Sequence, residues 1–124
     1  MIVGLGIDVI ELGRIESIWD RFGIRFAAKI LTITEQQALP ASPIAYLASR
    51  FAAKEAAVKA LGTGFRDGIT LQSLAVHSLP SGQPRLDMHD RAAQAARALG
   101  ALSWHISLSH SRNTACAVVI LEDK

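Results

Sequence analysis

Residues 50–62, Arg-Phe-Ala-Ala-Lys-Glu-Ala-Ala-Val-Lys-Ala-Leu-Gly, constrain this chain more than any other segment. Ala, Leu, Lys and Glu are strong helix formers, so the block is expected to be helical, from about Ile44 to Leu61. Gly62 and Gly64 are natural stops. On such a helix Arg50 and Lys54 are four apart, as are Glu55 and Lys59. Three cations thus surround one carboxylate on a segment otherwise made of alanine and a few large apolar residues. Glu followed four residues later by Lys is also the commonest surface pair on helices, so the helix alone leaves two readings open.

The first ten residues narrow the choice. Met1 to Ile10 reads as a strand. Val3, Leu5, Ile7 and Val9 fall on one face; Ile2, Gly4, Gly6, Asp8 and Ile10 fall on the other. A face thinned by two glycines lets a backbone or a ligand approach closely. Asp is disfavoured in strands, and a buried carboxylate needs a partner. Asp8 is therefore either a turn-type residue bonding nearby amides or a functional acid. Two distant carboxylates, Asp8 and Glu55, with cations around them point to a divalent metal holding phosphates. Lys59, one turn from Glu55, is placed to reach a phosphate on that metal.

The remaining chain reads as mixed helix and strand. A helix is expected over residues 12–29, with Ile15, Ile18, Trp19, Phe22 and Phe26 on one arc and Arg14, Arg21 and Arg25 in a stripe beside it. That stripe is either a solvated basic face or a docking surface for an acidic partner. Thr34-Glu35-Gln36-Gln37 resembles a capping box and starts a short helix ending near Pro40. A strand is expected over Ile69–Leu79, then a turn at Pro80-Ser81-Gly82 and a short extended segment over residues 82–86. Asp87 is expected to cap a helix over residues 88–99, stopped by Gly100. Trp104–Ser109 and Ala115–Leu121 form a hairpin whose tip carries His110. Ser107, Ser109 and His110 offer donors to an anion, although His110 alone is also an ordinary loop histidine. The class is α+β, one domain over residues 1–124.

Composition excludes several functions. The formal charge of +2 is too small to argue for nucleic acid. No apolar run is long enough to span a bilayer, and the N-terminus has no cationic leader, so a cytoplasmic location is expected. Cys116 is the only cysteine; an internal disulfide is impossible and a buried inert thiol is expected. Gly4-Leu5-Gly6 lacks the third glycine of a dinucleotide fingerprint, and Gly62-Thr63-Gly64 lacks the Lys of a P-loop.

Three segments then coincide with one family. Gly6-Ile7-Asp8-Val9, the block from Arg50 to Gly62, and Ser107-Leu108-Ser109-His110-Ser111 occur in the order and spacing of the short-type 4'-phosphopantetheinyl transferases, the holo-(acyl-carrier-protein) synthase family. Ile30-Leu31-Thr32 with Glu35, and Gly82 with Pro84, look alike too, and the resemblance spans essentially the whole chain. It implies the small α+β fold of that family, helices packed on a small antiparallel sheet. It implies transfer of phosphopantetheine from coenzyme A to a serine of apo-acyl carrier protein, with release of adenosine 3',5'-bisphosphate, in fatty acid biosynthesis.

By the same resemblance Asp8 and Glu55 are Mg²⁺ ligands, with Glu55 and Lys59 catalytic. Arg50, Lys59, Gly62, Gly82, Pro84, Ser109 and His110 bind coenzyme A. Arg14, Arg21 and Arg25 bind the acidic carrier. A homotrimer with coenzyme A between subunits is implied, and the two acids are expected to meet only in the oligomer. The third acid of the longer transferases, two residues after the Asp, is here Ile10. Two other classes remain open on the residues alone: a metal-dependent phosphoesterase using the same acids, and a non-catalytic binder of acidic proteins.

Overall fold

The computed structural model describes residues 1–124. Strand β1 (Ile2–Glu11) runs antiparallel to the central strand β5 (Thr114–Glu122), and β5 pairs on its other side with β4 (Ser103–His110). Helix α4 (Ile44–Leu61) lies across this sheet. It is buried on most sides, by Leu47, Ala48, Ala52, Ala53, Ala56, Ala57, Val58 and Ala60. A helix apolar around most of its circumference belongs inside a core, and alanine keeps it slim enough for its neighbours to close in.

The closest neighbour is β1. A Cβ added to Gly6 would lie 1.9 Å from the Ala56 carbonyl oxygen and 2.7 Å from the Ala60 nitrogen. One added to Gly4 would lie 2.3 Å from the Ala60 carbonyl oxygen. The glycine face of β1 therefore rests directly on the α4 backbone. The close approach expected from the two glycines is made within the chain, not against a subunit or ligand.

The opposite face of β1 is left open. Leu5, Ile7 and Val9 are 62%, 61% and 61% exposed. Across the register they meet Ile120, Val118 and Cys116, all half-buried. Cys116 is thus a free thiol at the edge of an open apolar face rather than a core residue.

The helix expected over residues 12–29 is two helices. Gly23 adopts φ 54° and ψ −131°, ending α1 (Leu12–Phe22) with a 2.7 Å bond from its amide to the Trp19 carbonyl; α2 (Ile24–Ile30) then sets off in a new direction. The next helix, α3 (Ile33–Gln37), is capped by a box on Thr32 and Glu35, two residues earlier than the expected one on Thr34. The strand expected from Ile69 starts only at Leu74, because residues 71–73 form a 3₁₀ turn closed by Thr70 and Ser73. Strand β2 (Leu74–Ser78) pairs with β3 (Pro84–Met88), a full strand where a short extended segment was expected. Asp87 lies on β3 beside His77 and Arg85, at 3.1 Å and 3.3 Å, and caps nothing; α5 (Asp90–Ala98) begins three residues later.

Lys54 also departs from expectation. It is not part of the cation set around Glu55. Its side chain is 0% exposed, with Nζ 2.7 Å from Glu35 Oε1 and 2.7 Å from the Ile30 carbonyl. Glu35 spends its remaining capacity on the amides of Thr32, at 2.8 Å, and Val76, at 2.7 Å. A buried ion pair in which the ammonium and both carboxylate oxygens are hydrogen-bonded ties α2, α3 and β2 to α4. Burial pulls the Lys54 ammonium below its usual pKa, and the Glu35 charge opposes that pull.

The glycine contact makes a sharp stability prediction. Gly6→Ala forces backbone apart and should cost about 3 kcal/mol or more. Gly13→Ala, in α1, where an added Cβ meets nothing within 4 Å, should be neutral or stabilising by up to about 1 kcal/mol. Denaturant unfolding of the two variants checks this; equal effects would contradict the contact.

Candidate active site

Gly4 and Gly6 set the depth at which β1 meets α4, and Asp8 is the next residue on the same face. Its Oδ1 accepts a 2.9 Å bond from Lys59 Nζ, which also donates to the Ile7 carbonyl at 3.0 Å. Lys59 therefore reaches across to the strand rather than back along α4 to Glu55. Glu55 lies close enough to Asp8 to feel its charge. Burial first, and then the Asp8 carboxylate, hold the Glu55 carboxyl above the usual range; Lys59 and Arg14 pull it down.

Two carboxylates and two cations thus converge in one chain. The expectation that Asp8 and Glu55 meet only in an oligomer is corrected: the β1–α4 contact brings them together by itself. The donor set suits Mg²⁺, which takes one or two carboxylates and completes its shell with water and phosphate oxygens. No three His, Cys, Asp or Glu side chains gather anywhere in the fold, so there is no ligand set for a softer, fully protein-caged metal.

A second constellation surrounds Arg50. Tyr46, Arg50, Ser78, Gly82, Pro84 and His110 line a groove of about 220 Å³. Arg50 Cζ lies 4.0 Å from the Tyr46 ring centroid, and one terminal nitrogen is 3.3 Å from Ser78 Oγ. Its Nε is buried and has no partner. Buried donors in folded proteins are nearly always satisfied, so an orphaned guanidinium N–H beside a groove suits an anion. A further groove of about 400 Å³, with Thr34 and His77, adjoins it through Tyr46, Arg50 and Ser78.

Arg50, Gly82, Pro84 and His110 are therefore brought together as expected. Lys59 is not with them: nine residues on, it projects from α4 roughly 180° away. Gly62 ends α4 in the left-handed region, φ 77°, and does not line the groove. Ser109 points to the other side of the sheet from its neighbours Leu108 and His110, opposite Cys116.

The arginine stripe is split. Arg14 lies by Glu55. Arg21 and Arg25 flank the Phe22 ring at 5.3 Å and 6.0 Å. With Ile18, Phe26 and Lys29, Phe22 and Arg25 form a dimple of about 170 Å³.

Tyr46 and Ser78 are site residues that sequence reasoning missed. Tyr46, four residues before Arg50, carried a helical-spacing signal. Ser78 carried none, since the β2–β3 pair alone brings it there.

The family description "4'-phosphopantetheinyl transferase superfamily" matches residues 4–119. The chain belongs to this superfamily. It is 57% identical over 122 residues to the holo-[acyl-carrier-protein] synthase of Solidesulfovibrio magneticus, covering 98% of this chain and 99% of that one. The crystal structure of the Neisseria meningitidis holo-[acyl-carrier-protein] synthase superposes with a TM-score of 0.90 at 34% identity, covering 98% of this chain and 99% of that one. The Bacillus anthracis synthase, solved in complex with CoA (3',5'-ADP), gives a TM-score of 0.83 at 36% identity, covering 100% and 99%. The α+β class expected from the sequence is the fold of these transferases.

The raised Glu55 pKa fixes the sign of a pH effect. Folded, Glu55 keeps its proton to a higher pH than it does unfolded. Between the two values the folded state binds more protons, so stability falls as pH rises through that window. Relative to Glu55→Gln, the metal-free protein should lose stability from about pH 4 upward, and the gap should level off above the folded pKa. Urea unfolding across pH checks this. A gap that does not change with pH would contradict the environment assigned to Glu55.

Proposed function

We propose that this chain transfers 4'-phosphopantetheine from coenzyme A to a serine hydroxyl of apo-acyl carrier protein, releasing adenosine 3',5'-bisphosphate. The observation that carries the reading is the Asp8–Lys59–Glu55 cluster, which lies within the residues, 4–119, that match the superfamily. In the transfer, the serine oxygen forms a bond to the phosphorus bearing pantetheine, and the bond from that phosphorus to the leaving bisphosphate breaks. Glu55, whose carboxyl is raised above its usual range by burial and by the Asp8 charge, takes the proton from the serine. Lys59 offsets charge on the phosphates, and Arg50 and His110 hold the nucleotide end in the groove between them. Asp8 and Glu55 would hold a magnesium ion, which would supply further neutralisation of the pyrophosphate.

Arg50 and the acid cluster occupy opposite sides of α4, so one short pyrophosphate cannot touch both sets in one chain. The open apolar face of Leu5, Ile7, Val9 and Val118 needs a cover, since strands apolar on both faces are normally buried on both. Both features support an oligomer, a homotrimer by family, in which one chain's acids work with a neighbour's groove. The dimple edged by Arg25 and Lys29 suits an acidic carrier helix presenting an apolar residue. No helix is long and apolar enough to cross a membrane. We read the protein as one cytoplasmic domain serving fatty acid synthesis.

Mass spectrometry of apo-carrier incubated with coenzyme A and Mg²⁺ should show the added phosphopantetheine. An unchanged carrier with well-folded protein would overturn the reading and favour a phosphoesterase or a binding module. Asp8→Ala and Glu55→Ala should each lose more than about a hundredfold in rate; a loss under about tenfold would contradict the ligand assignment. Arg21→Glu should raise the KM for the carrier and flatten its dependence on salt, leaving the KM for coenzyme A unchanged, because exposed charges are screened beyond about 8–10 Å at physiological ionic strength. Carrier KM values insensitive to both salt and mutation would make the stripe a solvated face.

A further inference from the structure

Tyr46 has no part in the transfer as derived above. It is the only tyrosine in the chain. Its ring lies against the Arg50 guanidinium, 4.0 Å from Cζ to centroid. Its hydroxyl donates a 2.7 Å bond to the Glu35 carbonyl. Glu35 is itself immobilised, with its carboxylate clamped by Lys54, Thr32 and Val76. The ring is therefore fixed at its base by α4 and at its tip by the best-anchored residue of α3. Burial pushes the phenol pKa up while Arg50 draws it back, which agrees with the close stacking.

A guanidinium stacked on a ring is held in one plane, and its N–H groups then point outward in that plane, free for an anion. In Arg50 one terminal nitrogen rests on Ser78, and the buried Nε has no partner. An unsupported arginine on that surface would sample many rotamers and lose that freedom on each binding event.

We propose that Tyr46 is the positioning residue of the anion site, stacking Arg50 into the orientation that receives a phosphate of coenzyme A. This rests on the reading of the Arg50 groove as a coenzyme A site. Tyr46 also lines the groove, and what separates positioning from a direct ligand contact is that a residue acting through Arg50 has no effect once Arg50 is removed. The role is also distinct from core filling, because its loss should fall on one substrate and not on the fold.

The test is a double-mutant cycle on steady-state kinetics with Tyr46→Leu, Arg50→Ala and the pair, with Tyr46→Phe as the conservative variant. Tyr46→Leu should raise the KM for coenzyme A roughly fivefold or more, with kcat and the carrier KM within about twofold. Tyr46→Phe, which keeps the ring, should restore most of that loss. In the Arg50→Ala background, Tyr46→Leu should add nothing further.

Fold-changes that multiply in the double variant would overturn the positioning role while leaving the groove reading standing. An unchanged coenzyme A KM in Arg50→Ala alone would overturn the groove reading, and the positioning role with it. Should Tyr46→Leu fail to fold, the unmutated enzyme with ¹³C-ring-labelled tyrosine gives one set of ring signals. Those signals should move on saturation with adenosine 3',5'-bisphosphate, and signals that stay in place would overturn the proposal.

Discussion

The backbone of β1 lies on the backbone of α4, and most of the site follows from that contact. Gly4 and Gly6 have no side chains to hold the strand off, and Ala56 and Ala60 have almost none. Glycine in a strand costs roughly 0.5–1 kcal/mol against alanine, which is offset by the depth of packing it permits. Continued two residues further, the same face delivers Asp8 to Lys59 and within the field of Glu55. The alternation of a strand then turns Leu5, Ile7 and Val9 outward. One constraint thus builds the acid pair and leaves an open apolar face on the other side of the strand.

The four charges on the central part of α4 serve three ends. Lys54 points into the core and closes a buried pair with Glu35. Arg50 points to the β2–β3 side, stacked on Tyr46. Glu55 and Lys59 belong to the Asp8 cluster. The buried pair is weak evidence for stability in itself, because desolvation consumes much of its attraction. Its value lies in fixing where α3 sits, and hence where the Tyr46 hydroxyl finds its acceptor.

Much of this was legible in the residues. Helix α4 was placed to its end residues, since alanine-rich composition and a terminal glycine are local signals. The close approach of β1 was legible in its glycines, and Asp8 was conspicuous because a strand disfavours it. What failed was whatever depended on long-range packing. The helix break at Gly23 is a different kind of miss, because a glycine of positive φ is a local stop that the apolar periodicity masks. Lys54 looked like its neighbours in sequence, and only the position of Glu35, nineteen residues away, distinguishes it. Which face of β1 would be buried could not be read from hydrophobicity, because the less hydrophobic face won on shape. Ser109 was grouped with His110 by adjacency, although adjacent strand residues face opposite ways.

The central claim is that Asp8 and Glu55 of one chain form a single divalent-cation site. Mn²⁺ binding in the presence of coenzyme A, followed by water-proton relaxation, tests it directly. The account predicts one ion per chain, with binding weakened at least about tenfold by Asp8→Asn and by Glu55→Gln alike, and the double variant little worse than either. Full affinity in either single variant would show that the two carboxylates do not share an ion.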